Sequence, residues 1–218
     1  MLNRQTSTNA GNGRARILLT VAATFALVVA LAGSALAADL VPSGNASRFS
    51  PLGFKGSIGL GSLEPSDGQK LDQGGASFLA LGYGVDPNVT LWLTAFGSEH
   101  EQIGTRAAED RMSDAGGLEV SLQYSFGTHR ALQPYGRIGI GAYSVEDRKT
   151  HDAMMGGGIR VGIGADYFFS RHCGVGLELV ARGVEYSENR LGEDGDFEDL
   201  PQKISANSGG VVFTFTVQ

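Results

Sequence analysis

The chain has 218 residues with a formal net charge of −6, 33 glycines and a single cysteine. One cysteine excludes an intrachain disulfide scaffold, and a hydrophobic share of 42% with a modest net charge disfavours disorder. The acidic balance disfavours nucleic acid as a partner, since phosphates are bound by basic surfaces. The length allows one domain of moderate size.

The N-terminal segment, residues 1–37, has the pattern of a secretion signal. Three arginines are its only charges, and it closes on Ala35-Leu36-Ala37, the small-x-small pattern that a signal peptidase requires. A membrane anchor is the alternative, because residues 17–37 are uncharged and long enough to span a bilayer. No basic stop-transfer flank follows Leu31, which favours the signal. Its removal takes away three of the 17 basic residues and none of the 23 acidic ones, leaving −9.

Residues 38–51 form a short polar lead, and the remaining chain, residues 52–218, is expected to be one domain in which hydropathy alternates with a period of two. In 118–126, the sequence LEVSLQYSF places five apolar side chains on one face and four polar ones on the other, as a strand does. Eight segments show this pattern, roughly 52–63, 75–85, 89–98, 117–126, 134–145, 156–169, 174–186 and 204–217. Most are near the ~9–11 residues that a tilted strand needs to cross a bilayer.

The connections between these segments alternate in length. Three are short: 86–88, 127–133 and 170–173. Four are long and charged: 64–74, 99–116, 146–155 and 187–203, with net charges of −2, −3, −1 and −4, or −10 together. An up-and-down meander inserted across a membrane has this order, with tight turns on one side and large loops on the other. Carboxylates in 193–199 raise the alternative of a divalent cation site, but their spacing is not that of a calcium hand, and a solvated acidic rim is favoured.

The two faces of the segments differ in character. One face is continuously aliphatic or aromatic, whereas the other carries glycine and charge, which suits a crowded lumen behind a lipid-facing wall. A soluble lipocalin-like barrel would have bulky apolar side chains inside, and a sandwich core would scatter its aromatic residues along the strands. The sequence therefore predicts an all-β fold, an eight-stranded antiparallel up-and-down transmembrane β-barrel.

Three motifs carry a family resemblance: Leu81-Gly-Tyr-Gly-Val85, Gln133-Pro-Tyr-Gly-Arg-Ile-Gly-Ile-Gly-Ala-Tyr143 and Gly162-Ile-Gly-Ala-Asp-Tyr-Phe-Phe169. Over about residues 52–217 the chain resembles the small outer-membrane β-barrel family of Gram-negative bacteria, the group that includes the transmembrane domain of outer membrane protein A and porin-like barrel domains. The resemblance implies location in the outer membrane, reached with the signal peptide. It also implies contact with outer-membrane lipid and lipopolysaccharide, and assembly by the barrel assembly machinery.

Two sets of side chains follow from the assignment of faces. Counting from the turns places Gly141 opposite about Arg160 and Arg137 near Gly164, and it groups the luminal charges into two stacked ionic rows. The predicted luminal network is Glu119, Arg160 and Arg182 in one row, and Arg137, Asp166 and Glu178 in the other. The predicted periplasmic aromatic girdle, beside the short turns, is Tyr83, Tyr124, Phe126, Tyr135, Tyr167 and Phe169.

No catalytic residue, cofactor or metal ligand is predicted. The glycine clusters at 136–141 and 156–158 alternate with aliphatic residues and precede no helix, so a dinucleotide site is disfavoured; they are better explained as luminal positions that leave room for large side chains. None of the four histidines is expected on a strand, which argues against a lipid-modifying enzyme with a His-Ser pair. The favoured function is a structural or surface-interaction role for a monomer with acidic extracellular loops and an unspecified extracellular ligand. The alternative is a narrow porin-like pore, although a water-filled channel needs about twice the strands.

Overall fold

The computed structural model describes residues 52–66, 73–101, 112–128, 130–193 and 195–218. The predicted signal and polar lead lie outside these described residues. Within them, eight strands form one closed barrel. The strands are β1 (Gly53–Ser66), β2 (Gly74–Asp86), β3 (Val89–Glu101), β4 (Met112–Ser125), β5 (Leu132–Asp147), β6 (Ala153–Phe168), β7 (Cys173–Arg190) and β8 (Glu198–Val217). The described part of the chain contains no helix long and apolar enough to span a membrane.

Each strand pairs antiparallel with its neighbours in the sequence, and β1 pairs with β8 to close the ring, with Ile58 opposite Phe215. The predicted eight-stranded up-and-down barrel is therefore confirmed. Closure leaves no sheet edge, so every strand can satisfy its backbone hydrogen-bonding groups within the wall.

Several strands extend further toward the long connections than the alternation predicts. β7 continues to Arg190 and β8 begins at Glu198, because the backbone of both strands goes on pairing beyond the apolar segment. The connection between β5 and β6 shrinks to residues 148–152, which is shorter than the turn at 126–131. The strict alternation of short and long connections is therefore wrong at this hairpin.

The outer wall of the barrel is apolar. Aliphatic side chains on neighbouring strands are largely exposed, among them Ile138 (62%), Ile159 (60%) and Leu179 (52%). The polar side chains that alternate with them are buried, as for Ser121 and Gln123 on β4. Charged and polar groups inside with aliphatic groups outside reverse the pattern of a soluble protein, and this arrangement fits a wall in contact with lipid.

The lumen is not filled by charge and glycine alone. Toward the long connections, two apolar clusters pack inside the barrel. Their buried members are Tyr143, Val145, Val184, Tyr186 and Ala206 in one cluster, and Leu63, Ala76, Phe78, Val180 and Val212 in the other. The sequence analysis missed these clusters because it assigned the luminal face from the alternation of apolar and polar side chains. Where a strand carries apolar residues on both faces, near the barrel ends, that alternation disappears.

Candidate functional site in the barrel lumen

Five luminal side chains, all buried except Arg137 at 10% exposure, form a chain of alternating charge, hereafter the ladder. Their order is Arg182, Glu119, Arg160, Glu178 and Arg137. Glu119 Oε1 lies 2.5 Å from Arg182 Nε, and Glu119 Oε2 lies 3.2 Å from Arg160 Nε. Glu178 Oε1 lies 2.7 Å from Arg160 Nη2, and Glu178 Oε2 lies 3.5 Å from Arg137 Nη1. Each carboxylate thus lies between two guanidinium groups.

Strand pairing explains why the ladder forms. Arg160 on β6 lies directly opposite Arg182 on β7, so two like charges are adjacent on the same wall. Glu119 reaches both of them from β4. The side chains of Arg160, Arg182 and Glu119 are at most 2% exposed, so water contributes little to their solvation. Charges this deeply buried are tolerated only when paired and hydrogen-bonded.

Neutral partners complete the ladder. The hydroxyl of Tyr143 donates to Glu119 Oε1 and that of Tyr135 donates to Glu178 Oε2, each at 3.3 Å. Arg137 Nη2 donates to Gln123 Oε1 at 2.5 Å, and the indole of Trp92 donates to the same oxygen at 3.0 Å.

Aromatic rings cover the two ends of the ladder. The guanidinium of Arg182 lies 4.4 Å from the ring centre of Phe96, and that of Arg137 lies 5.2 Å from the ring of Trp92. A ring face attracts a cation most strongly where water is excluded. These contacts therefore hold the terminal arginines inside the lumen.

Glycines on β6 make room for these groups. A Cβ on Gly162 would overlap the carboxylate of Glu178, and a Cβ on Gly164 would lie 2.6 Å from Cζ of Tyr135. On the neighbouring strand β5, a Cβ on Gly139 would lie 2.6 Å from Cβ of Ser121. The luminal glycines therefore leave space for large inward side chains, which is the role that the sequence analysis expected of them.

The structure brings all but one of the six predicted network residues into the ladder. The exception is Asp166, which lies one step closer to the short turns, over Gly176 and near Arg137 and Lys55. The two predicted rows are not separate, because Arg160 contacts both Glu119 and Glu178.

The predicted register between β5 and β6 is wrong by two residues. Arg160 lies opposite Gly139, not Gly141, and Arg137 lies opposite Gly162. The hairpin closes one residue earlier than its composition suggested, because the carboxylate of Asp147 accepts the backbone N–H of Lys149 at 2.8 Å and nucleates the turn.

Tyr135 is wrongly assigned to the aromatic girdle. It pairs with Ser125, is only 4% exposed, and lies inside the lumen. The error has a simple physical reason: Tyr135 is two residues from Arg137, so both side chains share a face of β5. The side chains of Tyr83, Tyr124, Phe126, Tyr167 and Phe169 are 46–57% exposed on the outer wall near the short turns.

Two phenylalanines that the sequence analysis did not assign join these outer aromatic residues. Phe54 is 87% exposed and packs edge-on against Tyr83, with ring centres 5.2 Å apart. Phe215 lies 6.5 Å from Phe169, ring centre to ring centre. The alternation of inward and outward side chains along β1 and β8 would have placed both rings on the outer wall.

The expectation that no histidine lies on a strand is wrong for His100. His100 is the penultimate residue of β3 and is buried in the lumen, where its Nε2 lies 2.8 Å from Ser98 Oγ. This pair points into the barrel and not toward the lipid wall. Among the described residues, no cluster of three His, Cys, Asp or Glu side chains has the arrangement of a metal site.

Ion pairs at the rim differ from the ladder in exposure. Arg148 contacts Asp114 at 2.5 Å and Glu99 at 2.6 Å, with these carboxylate side chains nearly half exposed. The hydrogen bonds that Arg148 donates to Asp114, supported by the one to Glu99, raise the pKa of Arg148 above its usual value. The predicted acidic segment ends in exposed carboxylates at Asp196, Glu198 and Asp199.

Known proteins share this architecture. The profile of the family "Outer membrane protein beta-barrel domain" matches residues 23–213. Two solved structures are similar. The outer membrane protein OprG from Pseudomonas aeruginosa is 15% identical, with 78% of this chain and 97% of that chain covered and a TM-score of 0.57. Ail of Yersinia pestis, solved with the heparin analogue sucrose octasulfate, is 13% identical, with 77% and 99% covered and a TM-score of 0.50.

A comparison with curated proteins gave no match. At these identities the solved structures show the fold alone, whereas the family profile spans most of the chain. The chain therefore belongs to the outer membrane protein β-barrel domain family, and it is an integral protein of the bacterial outer membrane.

Proposed function

We propose that this barrel is a structural and surface-interaction protein whose lumen is closed, and not a pore. The observation that carries the proposal is the ladder: its two carboxylates are 0% and 1% exposed, and each is held between two arginines. An eight-stranded barrel is only wide enough for side chains to fill its interior. A continuous water path would require at least one of these buried pairs to separate and leave charges unpaired.

Because the proposed lumen is closed, we place the interaction surface at the outer ends of the strands. The four connections on that side carry the acidic excess calculated from the sequence, and they are expected to face the cell exterior. An acidic rim repels polyanions and attracts basic ligands, with a strength that falls as salt rises. We therefore assign the unspecified surface ligand to basic molecules and not to heparin-like ones. Lipopolysaccharide, contacted through the outer wall and rim, and the assembly machinery are the other proposed partners of a monomer.

Planar-bilayer recording of the purified protein tests the closed lumen. The expected result is no steady conductance from the wild type. Glu119→Gln removes the carboxylate that Arg182 and Arg160 share and leaves Arg160 with Glu178. It is the matched variant, and any conductance should appear there first. A steady conductance of porin size from the wild type contradicts the proposal.

Binding to vesicle-embedded protein tests the surface role separately. Polylysine and heparin serve as probes of opposite charge at equal ionic strength. Polylysine is expected to bind and to be released by salt, and shortening the β7–β8 connection should weaken binding most because it holds the largest acidic excess. Heparin binding at physiological salt, or polylysine binding that no loop change affects, contradicts the assignment.

A further inference from the structure

The guanidinium of Arg182 has a second edge that the ladder does not use. Its Nε contacts Glu119, but among the residues that the structure describes no atom accepts a hydrogen bond from Nη1 or Nη2. The side chain is only 1% exposed. The rings of Phe96 and Phe78 lie 4.4 and 5.8 Å from its Cζ, and a phenyl ring offers no oxygen or nitrogen acceptor. A buried donor without a protein acceptor is costly, and donors of this kind commonly pair with a bound ion or water.

A small cavity lined in part by Arg182 lies on the side of the long connections. It has a volume of about 40 Å³ and is lined in part by Arg182, Ser98, Ser208, Phe96 and Tyr143. Ser208 lies directly opposite Arg182 in the β7–β8 register, so its side chain shares the luminal face. A volume of this size holds about three waters or one ion with few atoms. The walls thus combine a cationic donor, two serine hydroxyls and aromatic surface.

The charge balance of the lumen favours an anion in this cavity. Four basic side chains, Lys55, Arg137, Arg160 and Arg182, face three acidic ones, Glu119, Asp166 and Glu178. Both ends of the ladder are arginines, so these luminal groups, all within the described residues, carry one positive charge in excess. At the inner end, Arg137 has Gln123 and Trp92 as additional partners. Among the described residues, Nε of Arg137 and Nε and Nη1 of Arg160 also lack an acceptor, as do Nη1 and Nη2 of Arg182. Of these three arginines, Arg182 is the one that lines the cavity.

We propose that the cavity beside Arg182 is a binding site for one small monovalent anion, such as chloride or a short carboxylate. The anion accepts from Nη1 and Nη2 of Arg182 and neutralises the excess charge. A dianion would reverse the excess, and a larger anion would exceed the cavity. The site does not depend on what the rim binds, so its failure would leave the proposed surface function untouched.

Anion binding can be measured directly on the folded protein in zwitterionic micelles. Chlorine-35 NMR should show excess line broadening that saturates with chloride and is reversed by acetate. Arg182→Gln removes the donors, and Ser208→Leu fills the cavity without changing a ladder residue; both should lose the broadening. Arg148→Gln, which removes a rim arginine already paired with two carboxylates, should retain it.

Stability gives a second measurement. At constant ionic strength, replacing gluconate, which is too large for the cavity, by chloride should raise the folded-to-unfolded ratio about tenfold per tenfold increase in chloride above its dissociation constant. Ser208→Leu should abolish this dependence even if Arg182→Gln fails to fold. Equal stability in the two salts with no chlorine-35 broadening would mean that water alone fills the cavity. Broadening that persists in Ser208→Leu would place the anion elsewhere; either outcome overturns the proposal.

Discussion

Replacing Glu119 by glutamine should destabilise the barrel strongly. Glu119 is fully buried and holds Arg182 and Arg160 at 2.5 and 3.2 Å. Glutamine keeps the shape of the side chain but removes the negative charge that lies between two adjacent buried guanidinium groups. Removing one partner from a buried ion pair costs about 3–5 kcal/mol. With a urea dependence on the order of 2 kcal/mol per molar, the unfolding midpoint should fall by about 2 M.

Urea unfolding in lipid vesicles, followed by the heat-modifiable shift of the folded band on gels, measures this change. Glu99→Gln is the matched control, because it also removes a carboxylate from an arginine, but at a half-exposed site where Arg148 retains Asp114. Such pairs contribute about 0.2–1 kcal/mol. Adding Arg182→Met to Glu119→Gln should recover part of the loss, since one unpaired charge is removed. Equal midpoints for Glu119→Gln and Glu99→Gln would mean that the luminal charges are separately hydrated, and would refute the buried-ladder reasoning.

Three further predictions concern packing, the lumen and orientation. Gly164→Ala should lower the free energy of unfolding by about 1–3 kcal/mol, because its Cβ meets the ring of Tyr135. Gly136→Ala, whose Cβ meets no atom within 4 Å, should leave it unchanged. Equal unfolding midpoints for the two variants would contradict this packing argument. Trp92, the single tryptophan, is 3% exposed inside the barrel, so brominated lipids should quench its fluorescence weakly; strong quenching would place it on the wall. Protease added to intact cells should cut only the β3–β4 and β7–β8 connections, if any. Cleavage in the β2–β3 turn would show that the short turns, and not the long connections, face the cell exterior.

The period of two was enough to predict eight strands, their order and the two faces of most of them. It succeeded for Glu119 and Arg160 because each is a charge with aliphatic residues on both sides, and a one-residue slip would expose it to lipid. It failed for Tyr135 because an aromatic residue near a turn suits either the interface or the lumen when judged alone. Counting from Arg137 on the same strand would have placed it correctly.

Hairpin register was the least predictable feature. Its position depends on where the turn closes, and for β5–β6 this is decided by the carboxylate of Asp147 inside a charged segment. His100 was missed for a related reason: β3 continues past the apolar segment that marked its predicted end. Contacts that cross the lumen, such as that of Arg182 on β7 with the ring of Phe96 on β3, depend on barrel closure and leave no local signal in the sequence.

The ladder is best understood as a device that selects one strand register. Buried ion pairs are weak evidence for stability, since desolvation offsets much of their attraction, but they can favour one arrangement over its competitors. A slip of one residue in β6 or β7 would turn an arginine toward lipid, at about 2–4 kcal/mol near the bilayer midplane. A slip of two residues between them would keep the faces but place Arg160 opposite Val180 or Val184, so that Glu119 could no longer contact both arginines. Only the observed register satisfies the apolar wall and the charges together.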